Sequence, residues 1–150
     1  MNRDVEVNVT GIHARDGEPT EKVETSVPGV FLQMEDGSLI IEYDESQETG
    51  SGTMKAHSKV LINPDGRSME VVRSGFSNSR FSFGDELVYD TEYLTPYGAM
   101  MMKVRTNSFD FTRARNDDEI RVVAEYDLEI EDRVISSSMI VIDVKNAVAN

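Results

Sequence analysis

Residues 120–130 read IRVVAEYDLEI and place an apolar side chain at every second position, from Ile120 to Ile130. Successive side chains of a β-strand point to opposite faces, so this pattern collects six apolar residues on one face. A helix would spread the same residues around its circumference, where a single core could not bury them. The stretch therefore predicts a long β-strand with one face in a core.

The same period of two recurs along the chain between short turn signals. The alternating apolar sets are Val5, Val7 and Val9; Leu39, Ile41 and Tyr43; Met54, Ala56, Val60 and Ile62; and Met100, Met102 and Val104. Turn residues separate these sets at Asp16-Gly17, Asp36-Gly37 and Asn63-Pro64-Asp65-Gly66, and a further break is predicted at Pro28-Gly29. At Gly11 the alternation fails, which predicts a β-bulge that moves Ile12 to the inner face.

No segment combines helical period with a helix start over more than two turns, so the predicted class is all-β. Many short strands in sequence indicate an antiparallel meander, and a long meander avoids exposed edges by closing on itself. An up-and-down barrel of about eight strands is the simplest closure, with an open sandwich as the alternative. No linker interrupts the pattern, and residues 1–150 are predicted to form one domain.

The composition narrows the classes of partner. The chain is acidic, with 15 basic and 28 acidic side chains and a formal net charge of −13, which disfavours nucleic acid and anionic membranes. It contains no cysteine, which excludes disulfides and thiolate chemistry. Neither a signal peptide nor an apolar run approaching the roughly 20 residues of a membrane span is present, so a cytoplasmic location is expected.

Several blocks of the sequence resemble the YwiB-like family of small bacterial proteins of unknown function. In order, they are residues 41–46 with Gly52-Thr53, residues 73–75, residues 93–98 (YLTPYG), Thr106 and residues 126–128. The most specific is Thr95-Pro96-Tyr97-Gly98, and the resemblance covers most of the chain from about residue 28 to residue 144. The resemblance implies a lipocalin-like, calycin-type barrel, in agreement with the strand pattern, and it implies no activity.

Candidates for catalysis and metal binding are few. His13 and His57 are the only histidines, and His57 has the outward parity of its strand, so a surface role is predicted. No ligand spacing for a metal and no cofactor motif is found, because residues 48–53 lack the lysine of a phosphate-binding loop. A glycosidase needs two catalytic carboxyl groups at a set distance across a cleft, and four residues are candidates for such a pair: Glu42, Asp44, Glu45 and Glu92. Acidic residues are so common here that no catalytic residue is assigned and a non-catalytic role is favoured.

Polar side chains on inward parity are more informative. Glu45 continues the face of Tyr43, Arg73 continues the face of Val71, and Tyr93 continues the face of Tyr89. They either plug the barrel mouth or hold the polar end of a small apolar or amphipathic ligand. The predicted ligand-binding residues are Tyr43, Glu45, Arg73, Tyr93, Tyr97, Met100, Met102 and Tyr126. Arg73 is predicted to pair with Glu45, because a buried guanidinium needs an acceptor.

The last strand suggests an alternative function. Residues 139–142 are apolar on both parities, and Met101 points away from the Met100 and Met102 face. The outer face of that strand is predicted to be covered by the N-terminal segment or by a second subunit. The alternative to small-molecule binding is therefore a homodimer or protein-interaction module with a filled barrel.

Overall fold

A computed structural model describes residues 2–75, 78–95, 98–114 and 119–147, and this part of the chain consists of ten strands joined by turns, without a helix. The strands are β1 (Asn2–Ala14), β2 (Glu21–Gln33), β3 (Leu39–Thr49), β4 (Gly52–Ile62), β5 (Ser68–Gly75), β6 (Ser79–Gly84), β7 (Val88–Thr95), β8 (Gly98–Arg113), β9 (Glu119–Ile130) and β10 (Arg133–Asn146). No helix in the described ranges has the length and apolar character that crossing a membrane requires.

All neighbouring strands are antiparallel, in the order β6-β5-β4-β3-β2-β1-β10-β9-β8-β7. The edge strands β6 and β7 lie against each other, and side chains bridge the seam. Thr91 Oγ1 donates a hydrogen bond to the Arg80 carbonyl at 2.5 Å, and the Gly84 N–H donates to Thr106 Oγ1 at 3.2 Å. The sheet is thus a nearly closed barrel, which confirms the predicted all-β class.

The barrel has ten strands rather than about eight. The difference arises where strands are short, since β6 spans six residues and β5 and β7 eight each. A short strand offers few positions at which alternation can be recognised. The open sandwich, which was the alternative to the barrel, is not observed.

The core occupies most of the inward positions that the alternation predicted, but Met54 and Met100 are exposed and lie outside it. On β9, Ile120, Val122 and Ala124 are buried, and they meet buried residues of the neighbouring strands. The fully buried aliphatic side chains are Val5, Val7, Ile41, Val60, Ile62, Val104, Ile120, Val122, Ile142 and Val144. Burial of a side chain of this size stabilises the fold by about 1.5–3 kcal/mol.

The predicted bulge at Gly11 is wrong. Gly11 pairs in unbroken register with Val23 of β2 and Ile140 of β10, so Ile12 stays outside and His13 faces inward. A Cβ at Gly11 would stand 3.4 Å from His13 Nε2, which is an ordinary van der Waals contact. The register shifts that do occur lie between Thr106 and Ser108 and between Val134 and Ser136.

The predicted turn at Asp36-Gly37 is confirmed, and its chemistry is visible. Gly37 has a φ of +94°, and the Asp36 carboxylate accepts hydrogen bonds from the Ser38 N–H and hydroxyl at 2.8 and 2.6 Å. These bonds favour the ionised carboxylate and lower the pKa of Asp36. The turn fixes the start of β3 and therefore the register of the residues that follow.

The predicted break at Pro28-Gly29 is also wrong, because both residues lie inside β2, where its ladder with β3 ends. That ladder joins Gly29–Gln33 to Leu39–Tyr43 only, while β2 continues along β1 as far as Glu21. Proline has no N–H to extend the ladder. Residues 21–28 of β2 and 44–49 of β3 are therefore not paired with each other, and this unpaired stretch between the two strands is named here the β2–β3 opening.

The N-terminal strand does not cover β10. It lies beside β10 in the sheet, with Ile12 opposite Met139 and Thr10 opposite Val141. Met139 and Val141 remain half-buried on the outer face. The prediction that the N-terminal segment covers this face is therefore wrong. That a second subunit covers it stays a prediction.

Candidate functional site

The two ends of the barrel differ in chemistry. Because the strands alternate in direction, the carboxyl ends of β1, β3, β5, β7 and β9 meet at one end, named here the polar end. Buried hydroxyl side chains on the strands that reach it are Ser58, Thr91, Ser136 and Ser138. The opposite end is filled with apolar side chains such as Phe31, Leu39 and Ile62. Small-molecule sites combine an apolar lining with a few polar groups, and the polar end offers both kinds of side chain.

The predicted pair of Arg73 and Glu45 is present at the polar end. Arg73 Nη2 donates to Glu45 Oε2 at 2.9 Å, and the side chains keep 34% and 22% of their exposure. β4 separates the two strands and places Ala56 and Ser58 opposite these residues. Because both β4 side chains are small, the pair can reach across them. Most of the guanidinium is therefore shielded, while part of the pair still meets solvent.

Tyr43 completes this wall of the site. It lies opposite Ser58, with which its hydroxyl forms a hydrogen bond, and its ring is buried. Burial raises the pKa of Tyr43, the Glu45 carboxylate adds to the rise, and Ser58 and Arg73 oppose it. The phenol therefore stays neutral across the physiological range and can donate a hydrogen bond.

Across the barrel, a second polar wall surrounds Tyr126. Its ring packs on Phe83 with centroids 4.8 Å apart, and its hydroxyl bonds to Ser138. Burial raises the pKa of Tyr126. Ser138 Oγ also lies 2.8 Å from His13 Nδ1 and 3.3 Å from Ser136 Oγ. These contacts link three strands, β1, β9 and β10, into one hydroxyl and imidazole network.

This network was not predicted from the sequence, because the predicted register of β1 is wrong at Gly11. The false bulge at Gly11 assigned Ile12 to the interior and thereby hid His13. A usable signal existed on β10, where Ser136 and Ser138 continue the inward parity of Ile142. Alternating serines on a core-facing parity indicate a polar interior.

Only some of the methionines predicted to line the ligand site face the interior of the barrel. Met102 faces inward and is 9% exposed, whereas Met100 lies exposed towards the strand end and Met101 points outward with 61% exposure. The side chain of Tyr93 and the whole of Tyr97 lie outside the described residues. The structure thus places Tyr43, Glu45 and Arg73 on one wall and Tyr126 on the other.

The four carboxylates considered for a glycosidase pair do not converge. Glu42 and Asp44 lie on the outer face of β3 beside His57, Glu45 faces inward, and Glu92 is exposed on β7. Within the described ranges, no group of three His, Asp or Glu side chains is arranged to hold a metal ion. The polar end is therefore the best-formed candidate site.

His57 lies on the outer face, as predicted, and gives a testable pH dependence. Its Nδ1 is 2.7 Å from Asp44 Oδ1 and its Nε2 is 3.5 Å from Glu42 Oε1. The hydrogen bond to Asp44 raises the pKa of His57, burial opposes the rise, and the hydrogen bond to Glu42 adds to it. The stabilisation is therefore complete below the unfolded-state pKa and is lost as the pH rises through the higher folded-state value.

We expect this pH effect to be small, because the His57 side chain is 49% exposed. Urea unfolding at about pH 5.5 and about pH 8.5 should show a stability difference from His57 of less than about 1 kcal/mol, absent in His57→Gln. Lys59→Gln, on the same outer parity of β4, is the matched control. An unchanged pH dependence in His57→Gln would contradict the assignment.

Comparisons with known proteins agree with this fold. Residues 7–142 match the family model described as a domain of unknown function, DUF1934. The crystal structure of the YwiB protein from Bacillus subtilis superposes with a TM-score of 0.78 at 17% identity, over 98% of this chain and 94% of that chain. No curated protein matches the sequence. The resemblance to the YwiB-like family is therefore confirmed, and the structural likeness concerns the fold.

Proposed function

The chain belongs to the DUF1934 family, a domain of unknown function, and we propose that its barrel binds a small amphipathic molecule at the polar end without catalysis. The observation that carries this proposal is the Arg73–Glu45 pair. It faces inward, remains partly accessible to solvent, and stands next to buried apolar side chains. Few polar anchors beside an apolar wall are typical of small-molecule sites.

The apolar part of the ligand is proposed to lie against Met102 and Tyr126. Both side chains face the interior, and Tyr126 rests on the buried ring of Phe83. Methionine adapts its shape to irregular ligands at low cost, and an aromatic face offers a large contact area.

The head group is proposed to be uncharged and to contain both a donor and an acceptor. Arg73 supplies only donors and the Glu45 carboxylate only acceptors, and each already neutralises the other. A charged head group would approach one like charge as well as one opposite charge. A primary amide can instead accept from Arg73 and donate to Glu45, while Tyr43 and Ser58 offer further hydroxyl contacts.

Three probes with the same alkyl chain test this proposal: octanamide, octanoate and octylamine. In calorimetric titrations we expect octanamide to bind most tightly. Arg73→Met should weaken its binding by at least about tenfold, since a hydrogen bond to a charged group contributes about 1.5–3 kcal/mol. Arg80→Met is the matched control, because Arg80 forms an exposed pair with Glu70 on the outer surface, at 3.6 Å.

Two results would contradict the proposal. The first is that octanamide fails to bind, or binds no better than the charged probes. The second is equal weakening by Arg73→Met and Arg80→Met, which would indicate a general effect of charge. Native mass spectrometry of the purified protein adds an independent check, since a retained small molecule should be lost from the Arg73→Met variant.

Self-association is the second candidate function. Its support is the group of large apolar side chains exposed on the outer surface, including Met101 and Val134. These residues lie on β8 and β10, on either side of β9. A homodimer would have twice the chain mass of 16.8 kDa in sedimentation equilibrium, and a constant monomer mass over increasing protein concentration would exclude it.

A further inference from the structure

The β2–β3 opening leaves two strand segments with a neighbour on one side only. In the described part of the chain, residues 21–28 of β2 pair with β1, and residues 44–49 of β3 pair with β4. Unpaired backbone groups along a strand edge are a template for another strand. We propose that this opening takes up an extended peptide segment with alternating basic and apolar residues, which pairs with both edges.

The inner lining of the opening favours apolar residues in the peptide. Val23 has inward parity but is 48% exposed, and Val27 is only half-buried. Val7 on β1, the neighbour of Val27, is fully buried, so the loss of cover begins at β2. A strand lying beside residues 21–28 would bring its own inward side chains against Val23 and Val27.

The outer side of the opening favours basic residues. Glu24 on β2 and Asp44 on β3 point outward along its two borders, and Glu42 lies just beyond the opening, opposite Val30 in the ladder. Lys22 is engaged with Glu24 at 2.9 Å, and His57 lies between Glu42 and Asp44. A second copy of this chain would bring the same acidic border and a net charge of −13, so a basic partner fits better.

The experiment uses acetylated and amidated peptides of about eight residues, a usual strand length. The first alternates lysine and valine, the second alternates glutamate and valine, and the third is the lysine peptide with N-methylated valines. N-methylation keeps the charge and removes every second N–H donor. We expect the lysine peptide to bind and the glutamate peptide not to bind. Methylation should weaken binding by at least about tenfold.

Hydrogen exchange locates the bound peptide. The lysine peptide should slow amide exchange in residues 21–28 and 44–49, and the methylated peptide should not. Glu24→Lys should weaken binding, whereas Glu125→Lys should leave it unchanged. The Glu125→Lys substitution makes the same change of charge on the outer face of β9. Because β9 has a strand on each side, it has no unpaired edge for a peptide.

Three results would overturn the inference. The methylated peptide could bind as tightly as its parent, Glu125→Lys could act like Glu24→Lys, or protection could fall on other strands. The first two results would mean that attraction between charges, and not pairing of strand edges, holds the peptide. The third would mean that the peptide binds elsewhere on the barrel. The octanamide titration is independent of these results, because its anchors Arg73 and Glu45 are not changed in any of these variants.

Discussion

Replacing Arg73 by methionine is expected to lower the free energy of unfolding by about 2 kcal/mol, between the value for exposed ion pairs and that for buried pairs. The substitution leaves the Glu45 carboxylate in a mostly shielded position without its 2.9 Å partner. Arg73 and Glu45 keep 34% and 22% of their side-chain exposure, so solvent offsets part of the loss. Urea unfolding monitored by circular dichroism measures the effect.

Glu45→Gln in the Arg73→Met background should recover part of that loss, because it removes the orphaned charge. The two single substitutions should therefore not be additive, and the coupling should exceed about 0.5 kcal/mol. Arg80→Met with Glu70→Gln is the matched surface cycle, and its coupling should be smaller. Simple additivity of the Arg73 and Glu45 substitutions would contradict the shielded pair.

Phe83→Ala is expected to have the larger effect, a loss of about 3–5 kcal/mol. Phe83 is 2% exposed, and its ring contacts those of Tyr126 and Phe81 with centroid distances of 4.8 and 6.3 Å. Removing the ring leaves a cavity between β6 and β9, which approach each other on the inner side of the seam. Phe83→Leu keeps most of the volume and should lose less than half as much stability.

The Phe83 variants also connect stability with the site. Because the Tyr126 ring rests on Phe83, the alanine variant should weaken octanamide binding even under conditions where it is fully folded. A fully folded Phe83→Ala protein that loses less than about 1 kcal/mol would show that the ring is not part of the core.

The fold could be predicted from the sequence where the signal is local. Alternation over residues 120–130 gave the inward positions of β9, and Asp36-Gly37 gave a turn, because side-chain direction and φ are properties of a few neighbouring residues. The ion pair of Arg73 and Glu45 was predictable for the same reason. Inward parity and the requirement for an acceptor were enough to select Glu45.

The errors concern features that depend on distant strands. At Gly11 the sequence pattern predicts an extra residue, but β1 continues there in unbroken register with both of its neighbours. At Pro28 a helix- and strand-breaking residue was interpreted as a turn. In fact β2 continues along β1 and parts only from β3. The packing of the whole barrel decides on which side a strand remains paired and on which side its pairing ends.

The central claim is that an amphipathic molecule enters the polar end and meets Met102. Two adjacent methionines provide the most direct test, since Met102 faces the interior with 9% exposure and Met101 faces outward with 61%. The protein, labelled at its methionine methyl groups, is titrated with octanamide and followed by nuclear magnetic resonance. We expect the Met102 methyl signal to shift with increasing octanamide while the Met101 signal stays in place. A Met101 shift with Met102 unchanged would contradict the central claim.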